Sequence, residues 1–173
     1  MKLIIAISGA SGAGLGKKFI DRLPKEIEKY IIFSQNAKTV LQKEENSFFL
    51  DNEDIAAPVS SGSFQSDAMI VIPCSMNSLA KIACGISDNL ITRSASVMIK
   101  EQKKLILAPR EMPFSAIALE NMLKLSRLGV IISPPILGYY AKIKTLEEME
   151  DFLIGKWFDL LGIKHNLYER WRG

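Results

Sequence analysis

The chain alternates short apolar runs with stretches whose apolar positions recur at helical spacing. Leu3-Ile4-Ile5-Ala6-Ile7 is an unbroken apolar run with three β-branched residues, which predicts a strand buried on both faces. It passes through the small residues Ser8 to Gly14 into Leu15–Leu23, where a helical period takes over and Pro24 marks the end. Tyr30–Phe33 predicts a second strand ending at Ser34, and Asn36–Glu44 a helix with Ala37, Val40 and Leu41 on one side. Phe48 to Ser63 reads as loop, closing on the hydroxyl- and glycine-rich turn Ser60-Ser61-Gly62-Ser63. Ala68–Ile72 predicts a third strand stopped by Pro73; Cys74-Ser75-Met76-Asn77-Ser78 follows, then a helical pattern over Leu79–Ala83. Asp88 or Asn89 can cap a helix from Leu90 to about Glu101, and Leu105–Ala108 is a fourth strand running out at Pro109-Arg110-Glu111. Ser115–Arg127 is amphipathic, with Ile117, Leu119, Met122, Leu123 and Leu125 as core candidates. Gly129 closes it, Val130–Ile132 gives a fifth strand, and Thr145 caps a last helix towards Leu161.

This alternation implies an α/β chain: one domain over residues 1–173, built on an open, doubly wound parallel sheet of the Rossmann-like or flavodoxin-like kind. Ligands of such sheets bind outside the carboxyl ends of the strands. Those ends are Ser8–Gly14, Ser34, Cys74–Ser78, Arg110-Glu111 and Pro134–Tyr140, so the polar and special residues converge on one edge. The first of them, strand to small-residue turn to helix, presents backbone N–H groups and a helix N-terminus to an anion. Two sharper motifs fail there. A P-loop counted back from Gly16-Lys17 puts Ser11 at its first Gly and Lys18 at its hydroxyl position. The Gly-x-Gly-x-x-Gly fingerprint fails from both Gly9 and Gly12, and no acidic residue follows the second strand. A mononucleotide phosphate such as that of FMN suits the turn better than NAD. A tight connection with no ligand is the alternative.

Composition narrows this further. The 173 residues are 48% apolar and 24% charged, with a formal charge of +3 spread along the chain, ordinary values for a globular protein. No basic run or aromatic-interleaved basic patch points to nucleic acid. No apolar stretch reaches the roughly 20 residues of a membrane span, and no signal peptide is expected ahead of the first strand. Cys74 and Cys84 lack metal-type spacing and His165 is the single histidine, so no metal is expected. Reduced, structural cysteines point to a cytoplasmic setting.

The charged residues suggest a reaction class. Arg93 and Lys100 lie seven apart, two turns of one helix, and so share a face; a solvated face is the plain reading of that pair. Arg110 and Glu111 stand where a buried strand emerges and so point into the expected cleft. Several cations and one carboxylate around a phosphate-binding turn suit a reaction that expels phosphate and moves a proton. No Ser-His-Asp or Cys-His arrangement can be built at these strand ends.

The ordered blocks Ile7-Ser8-Gly9-Ala10-Ser11-Gly12-Ala13, Ser61-Gly62-Ser63, Pro73-Cys74-Ser75, Asp88-Asn89-Leu90 with Arg93, Lys100-Glu101, Pro109-Arg110-Glu111-Met112-Pro113, and Pro134-Pro135 through Tyr140 resemble the flavin prenyltransferases. This is the UbiX family, formerly labelled aromatic acid decarboxylases, and the similarity runs to Trp171. The resemblance implies metal-independent transfer of a dimethylallyl group from dimethylallyl monophosphate to N5 and C6 of reduced FMN. The product, prenylated FMN, would serve a UbiD-type decarboxylase, and the enzyme would be a homo-dodecamer in which neighbouring subunits complete each site. Carried over, Gly9, Ala10, Ser11 and Ser34 hold FMN, while Ser75, Met76, Asn77, Ser78 and Arg110 line the flavin. Ser63, Lys100, Tyr140, Lys156 and Trp171 bind the prenyl phosphate, with Trp171 in a C-terminal segment, about 157–173, that covers the site. Ser11, Glu44, Arg93, Lys100, Arg110 and Glu111 are the catalytic set. Two departures stand out: Ala141 replaces a His found in many relatives, and Lys156 replaces an Arg, keeping charge without the planar fork. The rival readings are an FMN-dependent cysteine-peptide or phosphopantothenoylcysteine decarboxylase and a non-catalytic flavin carrier. The former carries an early active-site His and a Pro-Ala-Ser-Ala-Asn-Thr block, where this chain has Pro73-Cys74-Ser75-Met76-Asn77-Ser78.

Overall fold

The structure, a computed structural model, describes residues 1–9, 13–34, 46–141 and 143–170. Among these, six strands form one all-parallel sheet: β1 (Lys2–Ile7), β2 (Glu28–Phe33), β3 (Ser47–Asp51), β4 (Ala68–Cys74), β5 (Lys104–Pro109) and β6 (Ile131–Ile132). The helices are α1 (Ala13–Asp21), α2 (Met76–Ala83), α3 (Leu90–Lys100), α4 (Ala116–Arg127) and α5 (Leu146–Leu161). The chain divides into two compact units, Met1–Pro134 with the whole sheet and α1–α4, and Pro135–Gly173 with α5.

Strand order is β3-β2-β1-β4-β5-β6. The chain winds outward one way from β1 and the other way from β4, so the doubly wound arrangement holds, with its switch point between these two strands. Alternation along the strands sends Ile4, Ala6, Met69, Val71, Leu105 and Leu107 to one face, into a core shared with α2, α3 and α4. Leu3, Ile5 and Ile7 point to the other face and are equally buried. There α1 comes close: a Cβ on Gly16 would lie 2.6 Å from the Ile72 carbonyl oxygen and 3.0 Å from Ile7 Cδ1. The fingerprint spacing fails in the sequence, yet Gly16 does the job of its last glycine, letting a helix seat against the strands. No helix among the described residues is long and apolar enough to cross a membrane.

Several elements differ from the sequence reading. β3 occupies a stretch read as loop: it pairs along Lys29–Phe33 at the sheet edge, where half-exposed residues blur the apolar pattern. β4 runs on through Pro73 to Cys74, because the register with β5 shifts between Val71 and Cys74 and spares the ladder the N–H that proline lacks. α2 starts at Met76, capped by Ser75, whereas the cap of α3 is Asn89, one of the two residues expected there. On α4 only Met122 and Leu125 of the five core candidates are buried; Ile117, Leu119 and Leu123 are 72%, 54% and 52% exposed. The helix expected over Asn36–Glu44 lies outside the described residues.

Candidate active site at the carboxyl edge of the sheet

At the switch point β1 leads into Ser8, which is buried, and Gly9, whose φ of +97° suits glycine. The Ser8 Oγ accepts a hydrogen bond from the Ser75 backbone N–H at 2.9 Å and donates to the Pro73 carbonyl at 3.2 Å. One hydroxyl thus ties the ends of β1 and β4. Ser75 in turn caps α2: its Oγ accepts from the Ser78 N–H at 3.2 Å and donates to the Ser78 hydroxyl at 3.1 Å. The N–H groups of the first turn of α2, at Met76 and Asn77, have no place in the helical ladder and remain free to meet an anion. From β5, the Arg110 N–H reaches the Cys74 carbonyl at 3.4 Å, which brings Arg110 and Glu111 to the same edge. Glu111 is oriented by its own turn, Oε1 accepting from the Met112 N–H at 3.1 Å.

These strand ends enclose a cavity of about 180 Å³, lined by Ser8 and Gly9, by Pro73 to Met76, and by Arg110 and Glu111. A second cavity of about 300 Å³ lies between α2 and α4, shares Met76 and Glu111 with the first, and is walled mainly by apolar residues such as Leu79 and Ile117. Polar and apolar space therefore adjoin at Glu111. The Cys74 thiol in the first cavity wall is pushed up to about 12 by burial, so at neutral pH it is a neutral group and no nucleophile. Ser34, at the end of β2, donates its N–H to the Ile7 carbonyl at 3.2 Å while its buried Oγ has no hydrogen-bond partner among the described residues. An orphaned hydroxyl at the end of β2, a positive-φ glycine after β1 and an open helix N-terminus after β4, all on one sheet edge, fit a phosphorylated ligand.

Other expected site residues sit elsewhere. The Asp88-Asn89-Leu90 block is a helix start. Asn89 and Thr92 form a reciprocal capping box, and the buried Asn52 accepts from the Leu90 N–H with its carbonyl and from the Ile91 N–H with its side chain. All the first N–H groups of α3 are thereby used, which leaves none for a ligand. Arg93 is exposed on α3 and lines neither cavity. Lys100 pairs with Glu101 at 2.9 Å, holding that carboxyl below its usual range, and the Glu101 side chain packs over Gly62, beside Ser63. This group lies near the amino edge of the sheet: α3 ends just before β5 begins, and Met98 contacts Ser66 at the start of β4. Asn77 is exposed on the first turn of α2, and Ser78 is buried behind the cap. Tyr140 and Lys156 are both exposed in the C-terminal unit. Ala10, Ser11, Glu44 and Trp171 lie outside the described residues. No group of three or more His, Cys, Asp or Glu among the described residues could hold a metal ion.

Comparisons with known proteins bear on the family and the fold. The Flavoprotein family model matches residues 1–158. A flavin prenyltransferase UbiX of Helicobacter pylori is 50% identical, covering 99% of this chain and 98% of its own. The chain belongs to the UbiX flavin prenyltransferase family, within the flavoproteins. Another UbiX member, from Campylobacter jejuni, is 48% identical, with 99% of each chain covered. Among solved structures, a dodecameric FMN-dependent UbiX-like decarboxylase of Escherichia coli O157:H7 superposes with a TM-score of 0.91 at 40% identity, covering 100% of both chains. The UbiX protein AnUbiX (PadA1), solved with FMN and dimethylallyl pyrophosphate, gives 0.90 at 39% identity over 99% of this chain and 97% of its own. A phosphopantothenoylcysteine-type (PPC) decarboxylase at 22% identity and TM-score 0.67 shares the fold alone. Sequence reasoning missed two structural contributors: Ser8 as the bridge between strand ends, and Asn52, whose capping role has no local signature.

Proposed function

We propose that this UbiX-family chain transfers a dimethylallyl group from dimethylallyl monophosphate to N5 and C6 of reduced FMN, and that the prenylated FMN formed serves a UbiD-type decarboxylase in the cytoplasm. The observation that carries the reading is the convergence of Ser8-Gly9, Ser75-Met76 and Arg110-Glu111 on one switch-point cavity, in a chain 39% identical to a relative solved with FMN and dimethylallyl pyrophosphate. When bound, reduced FMN supplies N5 and C6 as the atoms that take the allyl group.

The chain's own residues would then act as follows. Gly9, Ala10 and Ser11 with Ser34 hold the flavin's phosphate, and Ser75 to Ser78 with Arg110 flank its ring system. Arg110, with Arg93 and Lys100, stabilises the departing phosphate as the allylic C–O bond breaks. Tyr140, Lys156 and Ser63 fix that phosphate, and a C-terminal segment bearing Trp171 excludes water. Glu111, or Ser11 together with the released phosphate, takes the proton lost from C6, and Glu44 is a further functional carboxylate. Lys100 and Ser63 stand at the opposite edge from the cavity, so they would reach it from a neighbouring copy, in an assembly like that of the dodecameric relative.

Anaerobic incubation of the purified protein with reduced FMN and dimethylallyl monophosphate tests the reading. Mass spectrometry should show FMN gaining one C5H8 unit; unmodified FMN beside a working control enzyme refutes transferase activity and leaves the carrier reading.

A further inference from the structure

The C-terminal unit holds a polar knot that the proposed reaction leaves unused. Asp159 on α5 accepts from Arg170 Nη2 at 2.6 Å and Nη1 at 3.2 Å, from the Tyr168 hydroxyl at 2.5 Å and from His165 Nε2 at 3.0 Å. The Leu167 N–H donates to His165 Nδ1 at 3.2 Å, so that nitrogen is the acceptor and Nε2 carries the ring's proton towards Asp159. The His165 side chain is 4% exposed. Arg170 above all, with the Tyr168 and His165 hydrogen bonds, holds the Asp159 carboxyl well below the usual carboxylate range.

From this knot a series of ring contacts runs outward. Tyr168 meets Phe152 with centroids 5.1 Å apart and planes at 62°, and Phe152 meets Tyr140 at 5.8 Å and 82°. Two glycines make the series possible. A Cβ on Gly155 would lie 2.5 Å from Tyr168 Cδ1, and one on Gly138 would lie 2.6 Å from Phe152 Cε1. Phe152 is buried while Tyr140 is 64% exposed, so the series ends on an exposed tyrosine.

We propose that Asp159 is a positioning residue: it locks Tyr168, Tyr168 supports Phe152, and Phe152 fixes the ring of Tyr140 so that its hydroxyl is already aimed at the prenyl phosphate. This rests on the reading of Tyr140 as a phosphate ligand given above. A donor held in place before the substrate arrives costs less ordering on binding, so the effect falls on substrate affinity.

The test is steady-state kinetics with dimethylallyl monophosphate varied at saturating reduced FMN, on assembled enzyme. Asp159→Asn and Tyr168→Phe should each raise KM at least about fivefold, the scale of one lost hydrogen bond. Turnover and FMN affinity should stay within about twofold. Tyr140→Phe should raise KM similarly in the wild type and add little in the Asp159→Asn background, since the same contact is already lost. KM unchanged in Tyr140→Phe overturns the reading of Tyr140 and the proposal with it. KM raised there but unchanged in Asp159→Asn and Tyr168→Phe, or fully additive effects in the double variant, overturns the proposal alone. Tyr168→Phe keeps the ring and the fold's packing, so it carries the test if Asp159→Asn fails to fold.

Discussion

Replacing Ser8 by alanine isolates the one hydroxyl that ties β1 to β4. Its Oγ takes the Ser75 N–H at 2.9 Å and gives its own hydrogen to the Pro73 carbonyl at 3.2 Å. That carbonyl keeps the Ser8 backbone N–H, also at 3.2 Å, and so is not stranded by the change. The Ser75 N–H loses its acceptor at a half-buried position, which costs about 1–3 kcal/mol. The space left by one oxygen adds little to that. A chain of this length loses about 2–4 °C of Tm per kcal/mol, so Ser8→Ala should melt about 2–12 °C lower at equal protein concentration. A second effect follows from position. Ser75 is both the cap of α2 and part of the cavity wall, so freeing its backbone lets the helix N-terminus drift from the ligand and should weaken FMN about threefold to tenfold. Circular dichroism melts and quenching of FMN fluorescence measure the two. A Tm within about 1 °C of wild type together with an unchanged FMN Kd would refute the bridge. A lower Tm with unchanged Kd would confine Ser8 to the fold.

Gly16→Ala should lower Tm, because its Cβ meets the Ile72 carbonyl at 2.6 Å and overpacking of about 1–3 kcal/mol exceeds the helix-propensity gain of about 1 kcal/mol. Gly14→Ala, with nothing within 4 Å of its Cβ, should raise Tm slightly, and equal shifts in the two variants would contradict the packing argument. Arg110→Ala and Glu111→Gln change exposed side chains, so melts should stay near wild type while turnover falls about a hundredfold or more; full turnover in both would remove them from the chemistry. Co-expressed Lys100→Ala and Arg110→Ala chains should recover part of the activity that each lacks alone, and no recovery would argue against a site shared between copies. The depressed carboxyl of Asp159 contributes stability that is complete above the unfolded carboxylate pKa of about 3.9 and is lost as pH falls through the lower folded value. Acid melts of Asp159→Asn should therefore lose less stability below about pH 4 than the wild type does.

What could be read in the sequence was whatever a strand buried on both faces writes as an unbroken apolar run. Leu3–Ile7, Ala68–Ile72 and Leu105–Ala108 are such runs, and each fixes where its carboxyl end, and hence a wall of the cavity, must fall. β3 writes no such run. It is an edge strand whose Phe48 is exposed yet stacks on Tyr30 with centroids 4.9 Å apart, and only its partner reveals its conformation. Ile117, Leu119 and Leu123 misled for the opposite reason: an apolar helical stripe suggests a covering partner, and among the described residues none covers these three. The Asp159–His165 contact spans six residues around the left-handed Gly162, a geometry that no helical or strand period encodes. The Asn89 cap of α3, by contrast, was legible, because a capping residue announces itself beside the helix it starts.

The division of charge between the two sheet edges sets a geometric condition on any mechanism. Arg110 directly follows β5, and Lys100 precedes it by one short turn, so six residues of extended strand separate them within one copy. At about 3.3 Å per residue that is on the order of 20 Å, several times the span of a phosphate group. Lys100, paired with Glu101 at the amino edge, is therefore not gathered with Arg110 around one phosphate within a single copy. If both serve one prenyl phosphate, the amino edge of one copy must face the carboxyl edge of another. The exposed apolar residues of α4 bear on this, because Ile117 also lines the cavity shared by Met76 and Glu111. A neighbour covering that stripe would bury apolar surface and close the cavity in the same contact, so assembly and completion of the site would be one event rather than two.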